Sequence, residues 1–254
     1  MSGFFSSDNK FFVLMSKIFD MLVLSVTWLL FSVSGLGVAG YCVGTGKVEA
    51  GSFVFYVLLV LAAALTTLIG PASTAFYYTV VKVIRRERSY MFKEFFRSFK
   101  LNFKQGVILG FIYEVLTILA IIDFFYLWET SASGSKMGGM MLGAFLVLVV
   151  FTIFSVIYIF PVLSRFTVTI KNLIKWAFFM SIRHIGWTLL LAVMFIGSGV
   201  LMYLSFFYMP PLMFVVPGIY TILASFPMER IFKRYMPVEE VTDEESGIDQ
   251  WYNE

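Results

Sequence analysis

The chain has 254 residues, of which 59% are hydrophobic and only 14% are charged, and its mean hydropathy is +0.87. A soluble domain covers its surface with polar groups, so this composition excludes an ordinary water-soluble protein and indicates one that lies in a membrane. The formal net charge is only +3, so the positions of the charges carry more information than their sum.

Six runs of apolar residues have the length that crosses a bilayer as a helix, which is about 20 residues. Their predicted bounds are Ile18 to Val43, Ser52 to Val81, Val107 to Trp128, Met140 to Leu163, Ile185 to Tyr208 and Leu212 to Met228. The runs are continuous rather than alternating, which favours helices over a β-barrel. No small-residue cleavage site follows the first run, so we expect a span there and not a signal peptide. The predicted fold class is an all-α, polytopic membrane helical bundle.

The distribution of Lys and Arg predicts the orientation of this bundle. Of the 19 such residues, all but Lys47 and Lys136 fall in the N-terminal segment, in the loops after spans two and four, or near the C-terminus. Short loops rich in Lys and Arg stay in the cytoplasm, so both termini are predicted to be cytoplasmic. We expect the basic segments to be attracted to the anionic inner leaflet of the lipid bilayer and not to bind nucleic acid.

The chain is predicted to divide into two parts. Residues 1–237 form the transmembrane helical domain, and residues 238–254 form an acidic, disordered cytoplasmic tail without Lys or Arg. Within the first part, Phe95 to Lys100 before span three resembles Phe178 to Arg183 before span five, and prolines recur in spans two, four and six. This pattern suits three repeated helical hairpins.

The stretch FFRSFKLNFKQ, residues 95–105, predicts an amphipathic cytoplasmic helix between spans two and three. At helical spacing its rings form one stripe and its cations a neighbouring stripe. The two stripes are Phe92, Phe95, Phe96, Phe99 and Phe103, and Lys93, Arg97, Lys100 and Lys104. The pattern does not specify what buries the rings. They can pack on the protein's own helical bundle, on a partner protein, or among lipid headgroups.

A candidate intramembrane polar site centres on Glu114. This residue lies about 12 Å into span three, where an ionised carboxylate costs a few kcal/mol. We therefore expect it to be protonated, paired or facing water. Two hypotheses remain open, a proton-linked or substrate site and a structural hydrogen bond between helices. Its candidate partners at similar depth are Ser155, Tyr158, Thr74 and Tyr77.

Gly70 and Pro71 are part of the same candidate site because they interrupt span two. Such a break either lines a binding site, as in transporters, or only kinks the helix. Pro161 and Pro217 carry the same two interpretations.

The sequence contains no recognisable catalytic constellation. One cysteine, Cys42, and one histidine, His184, exclude an intramolecular disulfide and a multi-histidine metal site. No Ser-His-Asp set, paired-carboxylate cleft, phosphate-binding glycine loop or Cys/His metal spacing occurs. We therefore expect a protein that is not an enzyme and that holds no metal ion or cofactor.

Several short motifs resemble those of one membrane-protein family. They are Gly70-Pro71-Ala72, Arg86-Glu87, the 95–105 stretch, Tyr158, Phe160-Pro161, Arg165-Phe166, Lys171-Asn172, Pro217-Gly218, Ser225 and Ile231 to Tyr235. In this order they are similar to the YesL-like integral membrane proteins of Gram-positive bacteria, a family of unknown function. The resemblance implies a multi-pass protein of the bacterial cytoplasmic membrane whose genes often accompany sugar-uptake transporters and polysaccharide-degrading enzymes. It implies no catalytic residues.

Two functions follow as hypotheses. The first is an accessory or regulatory subunit linked to carbohydrate uptake or utilisation, which would hold a sugar transporter or another membrane protein through the amphipathic helix. The second is a small proton-linked transporter or channel with a site near Glu114. The sequence does not define a substrate or an oligomeric state.

Overall fold

The computed structural model of the protein describes residues 10–44, 52–85 and 90–236. Within these ranges the chain is helical and contains no strand. The α-helices are α1 (Lys10–Gly44), α2 (Phe53–Thr66), α3 (Ile69–Thr79), α4 (Met91–Leu101), α5 (Phe103–Ala132), α6 (Lys136–Arg165), α7 (Ile170–Arg183), α8 (Ile185–Tyr208) and α9 (Val216–Phe232). A π-helical turn (Val80–Arg85) extends α3, and a 3-10 turn (Pro210–Phe214) precedes α9. The predicted acidic tail, 238–254, and the Arg86-Glu87 motif lie outside the described residues.

Six helical segments are long and apolar enough to cross a membrane, which confirms the predicted polytopic bundle. They are Met15–Cys42, Phe53–Ile84, Phe103–Ala132, Lys136–Arg165, Ile185–Tyr208 and Pro210–Phe232. Each contains most of one predicted run, and several helices continue past its apolar end. Large apolar side chains cover their outer surface; Phe125, Leu148 and Val193 are 65%, 66% and 69% exposed. Lipid is the solvent that such a surface requires.

The predicted interruption of span two lies at Thr67 and Leu68, between α2 and α3. Pro71 has no N–H to donate to the Thr67 carbonyl four residues before it, and the N–H of Gly70 donates to that carbonyl instead, at 3.2 Å. The hydroxyls of Thr66 and Thr67 donate to the carbonyls of Ala63 and Ala64. Side chains thus cover backbone acceptors that would otherwise face hydrocarbon.

Pro161 and Pro217 occupy different positions in their spans. Pro161 lies inside the continuous helix α6, and the Ser164 hydroxyl donates to its carbonyl at 2.7 Å. Pro217 occupies the first turn of α9, where a missing N–H costs nothing because that N–H has no intrahelical acceptor. Span six therefore consists of the 3-10 turn and α9, and Pro217 lies just after their junction, as Pro71 lies just after the junction of α2 and α3 in span two.

Spans two and three cross at backbone contact distance. A Cβ atom added to Gly106 would lie 2.7 Å from the nitrogen and 2.8 Å from the Cα of Pro71. Cβ atoms on Gly70 and Gly110 would meet the carbonyl oxygens of Gly106 and Thr67. Gly106 and Gly110 form a small-xxx-small pair, the spacing that lets membrane helices approach closely. The Gly-Pro break therefore lies at a helix crossing.

Two shorter helices, α4 and α7, join spans two to three and spans four to five. Consecutive spans alternate in direction, so both helices lie at the same end of the bundle, together with the C-terminal end of α9. We call this the basic end, because α4, α7 and the adjoining ends of spans two, three, four and six carry most of the described Lys and Arg residues.

Candidate functional site

The predicted amphipathic helix exists as α4, but it is shorter than the aromatic stripe. It ends at Leu101, and Asn102 has φ −97° and ψ 8°, so Phe103 and Lys104 begin the helix of span three. The Asn102 side-chain amide donates to the Ser98 carbonyl at 3.1 Å, which competes with continuation of the helix. A single helix carrying all five rings is therefore a wrong prediction.

The bundle itself covers one edge of the aromatic stripe. Phe95 is fully buried, and its ring stacks with Phe31 of α1 at a centroid distance of 6.3 Å. Phe99 lies 5.0 Å from the same Phe31 ring. Of the three predicted environments for the rings, Phe95 and Phe99 therefore occupy the first: they pack on the protein's own bundle.

The other edge of the stripe remains exposed beside the cations. The exposed fractions of Phe92, Phe96 and Phe103 are 51%, 41% and 41%. Lys93, Arg97, Lys100 and Lys104 are exposed as well. This second row of rings, with its basic flank, is the part of α4 and the start of α5 that is available to lipid or to a partner.

A buried ion pair fixes α4 to the end of span two. The Lys82 ammonium lies 3.2 Å from Glu94 Oε2, and side chains at both positions are nearly inaccessible. The Tyr78 hydroxyl lies 3.4 Å from the same Glu94 oxygen, and the Lys82 ammonium lies 5.7 Å from the Tyr78 ring centroid. A connector helix attached through a buried pair is held in one position, because separating the pair would leave charge in a poorly hydrated site.

A second buried ion pair joins spans four and six at the basic end. The Arg165 Nε and Nη2 atoms donate to Glu229 Oε1 and Oε2 at 3.0 and 2.9 Å. The Tyr77 hydroxyl of span two donates to Glu229 Oε1 at 3.0 Å. The arrangement is bidentate and charge-assisted, which gives geometric specificity as well as energy. One carboxylate therefore connects three spans.

Glu114 hydrogen-bonds across the crossing of spans two and three. The Thr66 hydroxyl contacts Glu114 Oε1 and shares its single proton between that atom and the Ala63 carbonyl. The buried Oε2 atom of Glu114 has no partner among the described residues. The predicted partners are wrong, because each bonds elsewhere: Ser155 to Tyr113, Tyr158 to Thr188, Thr74 to the Gly70 carbonyl and Tyr77 to Glu229. The Thr66 contact is of the kind that the structural hypothesis for Glu114 describes.

An apolar cavity of about 390 Å³ lies between the spans, and its lining residues come from spans one, two, four, five and six. Glu114, Gly70 and Pro71 are not among them. Almost all of the lining is carbon, with the rings of Trp28, Phe76 and Tyr220 among its walls. The Trp28 indole N–H donates to the Ser73 hydroxyl at 3.0 Å within this lining. Cavities of about 300–1,000 Å³ hold small ligands in proteins.

The cavity reaches toward the Arg165–Glu229 pair at its basic end. Tyr77 and Met228 both line the cavity. Tyr77 donates its hydroxyl to Glu229, and Met228 precedes that residue in the chain. Pro161, one turn before Arg165, lines the cavity too. The buried ions thus lie next to the apolar space.

His184, the single histidine, is at the basic end and apart from this cavity. Its Nε2 atom lies 3.0 Å from the Tyr235 hydroxyl. Partial burial, followed by the positive charges of Arg234 and Arg183, lowers the pKa of His184. The neutral imidazole is therefore the form that the folded state favours.

Sequence reasoning missed the buried ion pairs and the cavity. Lys82 and Arg165 fall in the predicted loops after spans two and four, but in the structure both are buried and paired. Glu229 gave a usable signal, because it is a carboxylate inside the apolar sixth segment, and such residues usually have a partner. No signal in one sequence reports a cavity between helices.

The fold and these contacts define a polytopic α-helical membrane protein with an intramembrane cavity. A sequence family described as "Protein of unknown function, DUF624" matches residues 52–124. The match covers spans two and most of three with α4 between them, and so includes the Gly-Pro crossing, the Lys82–Glu94 pair and Glu114. This is a similarity to a membrane-protein family of unknown function over less than a third of the chain. No curated protein matches the sequence. No solved structure matches the fold.

Proposed function

We propose that the protein is a small membrane transporter that binds an apolar or amphipathic molecule in the cavity between its spans. The observation that supports this most directly is the cavity itself, about 390 Å³ in volume and bordered by five of the six spans. An apolar space of this size between helices loses packing contacts unless something fills it. An apolar ligand is favoured because a sugar would find few hydrogen-bond partners on this lining.

The helices around the cavity also support a change of shape. Pro161 lies inside α6 and lines the cavity, and proline-bearing helices border the sites of many transporters because their backbone hydrogen bonding is locally relaxed. The bidentate contact between Arg165 and Glu229 closes the basic end and would have to separate if the ligand left by that route. The distribution of Lys and Arg favours a cytoplasmic position for this end, and the resemblance to the YesL-like family implies that the cell is bacterial.

The cavity can be tested with a photoreactive probe and two glycine variants of α8. Gly199 lines the cavity and Gly197 does not, and an added Cβ atom meets no other atom within 4 Å at either position. A diazirine-bearing alkanol is expected to label Met202 and Tyr220 in the detergent-solubilised chain. Gly199→Leu is expected to reduce this labelling about fivefold, the effect of losing about 1 kcal/mol of ligand burial. Peptide mass spectrometry would measure the change.

Gly197→Leu is the matched control and should leave the labelling unchanged. Labels found only on outward residues such as Val193 would contradict the proposal. Glu114→Gln separates the two candidate sites, because it should not affect labelling in the cavity. If Glu114→Gln abolished the labelling, or stopped the probe from crossing liposome membranes, while Gly199→Leu had no effect, the binding site would lie at Glu114 and not in the cavity.

A second candidate function is the accessory subunit linked to carbohydrate uptake. The observation that favours it is the exposed row of Phe92, Phe96 and Phe103 beside four cations, since exposed rings at a charged rim are typical of interaction surfaces. Phe95 and Phe99 cannot serve in such a contact while they pack on Phe31.

This candidate predicts that a co-expressed sugar-uptake permease is recovered with the protein. Replacing Phe92, Phe96 and Phe103 by Ser should reduce that recovery at least about tenfold, because interface rings contribute more than about 1 kcal/mol each. Phe125, Phe206 and Phe207 are exposed rings at the opposite end of spans three and five. Their replacement by Ser is the control, and equal recovery from both triple variants would contradict the accessory role.

A further inference from the structure

A groove on the outward face of α7 combines rings and cations at the basic end. Its lining residues are Lys175, Phe178, Phe179, Ile182 and Arg183, and its volume is about 420 Å³. They follow helical spacing, so they share one face of α7. The opposite face, with Leu173, Ala177 and Met180, is buried against the bundle. The groove is therefore an outward-facing feature of a helix that is itself fixed.

Aromatic contacts position the cation at one end of the groove. The Arg183 guanidinium carbon lies 5.5 Å from the ring centroid of Phe179 and 5.9 Å from that of Tyr235. The Tyr235 hydroxyl is in turn 3.0 Å from His184 Nε2. A guanidinium that lies beside two rings is presented in a defined orientation, and its planar donors match a phosphate group.

The remaining lining is apolar and exposed. The exposed fractions of Phe178, Phe179 and Ile182 are 43%, 50% and 47%. Such residues are covered by hydrocarbon when a helix lies at a bilayer surface, and the flanking cations then lie at headgroup level. The groove thus offers an apolar floor and two separated positive charges, at Lys175 and Arg183.

We propose that this groove binds one anionic phospholipid of the adjacent leaflet, with its phosphate at Arg183, its headgroup beside Lys175 and an acyl chain along Phe178 and Ile182. Charge complementarity selects an anionic over a zwitterionic lipid, and the rings select a lipid over a free anion. The site is independent of the cavity and of the transport role. An acidic peptide, including residues 237–254 of this chain, would satisfy the cations but not the apolar floor.

The test compares two spin-labelled lipids, phosphatidylglycerol and phosphatidylcholine, around the full chain in vesicles at low salt. The fraction of each label immobilised by the protein gives their relative association constants. The parent chain should prefer phosphatidylglycerol, and Lys175→Gln with Arg183→Gln should reduce that preference about fivefold for each charge removed. Circular dichroism would show that the variant retains its helices.

Lys93→Gln with Lys100→Gln removes two charges from α4 at the same end and is the matched control. An equal loss of preference in that variant would mean general attraction to the basic end, and would overturn the site. Inorganic phosphate at millimolar concentration should leave the preference unchanged, and a preference that it abolishes would indicate a free-anion site instead. A preference that emerges only after residues 237–254 are removed would identify the tail as the occupant and overturn the proposal.

Discussion

Replacement of Arg165 by Met is expected to lower the free energy of unfolding by about 3–5 kcal/mol. The side chains of Arg165 and Glu229 are 6% and 7% exposed, so the variant would leave the Glu229 carboxylate buried without its bidentate cation. The Tyr77 hydroxyl would remain its neighbour but carries no charge. Unfolding in mixed micelles with increasing sodium dodecyl sulfate, followed by circular dichroism, would measure the loss.

The double variant Arg165→Met with Glu229→Leu tests the cause of that loss. With both charges gone, the apolar pair should recover most of the stability, because two desolvated ions are often no better than well-packed hydrophobic residues. Arg183→Met is a control at the same end of the bundle, since Arg183 is exposed, and its effect should stay within about 1 kcal/mol. A double variant as unstable as the single one would mean that the contribution of this site is not electrostatic.

Replacement of Gly106 by Ala is expected to cost about 3 kcal/mol, at the upper end of the range for overpacking. The new methyl group would lie 2.7 Å from the Pro71 nitrogen and 2.8 Å from its Cα, and a backbone cannot move aside as a flexible side chain can. Spans two and three would have to separate, which would also stretch the contact between Thr66 and Glu114. The same unfolding titration measures the effect.

Gly143→Ala provides the comparison in another membrane helix. An added Cβ atom at Gly143 meets no other atom within 4 Å, so alanine should be neutral or should stabilise by up to about 1 kcal/mol through helix propensity. Similar losses at Gly106 and Gly143 would contradict the close-packing explanation, because a Cβ atom meets the Pro71 backbone only at Gly106.

The predictions from sequence were correct for features that depend on a single helix. The six spans and the break before Pro71 follow from apolar length and from the missing proline N–H, which are properties of the nearby sequence. The prediction that one helix carries all five rings extends α4 past Leu101. Helical spacing of the rings does not reveal that the helix ends at Asn102. The partner of Glu114 was missed because depth in the bilayer says nothing about which helix lies beside it.

The sequence by itself determined that this is an all-helical bundle with six membrane-length segments, because burial of a backbone in hydrocarbon leaves few alternatives to helices. It also indicated an amphipathic connector between spans two and three. Only the tertiary structure decided that Arg165 pairs with Glu229, that Lys82 pairs with Glu94, and that residues of five spans line an apolar cavity. Each of these depends on contacts between residues far apart in the chain, and a helical pattern in one segment does not specify the rotation or neighbours of another.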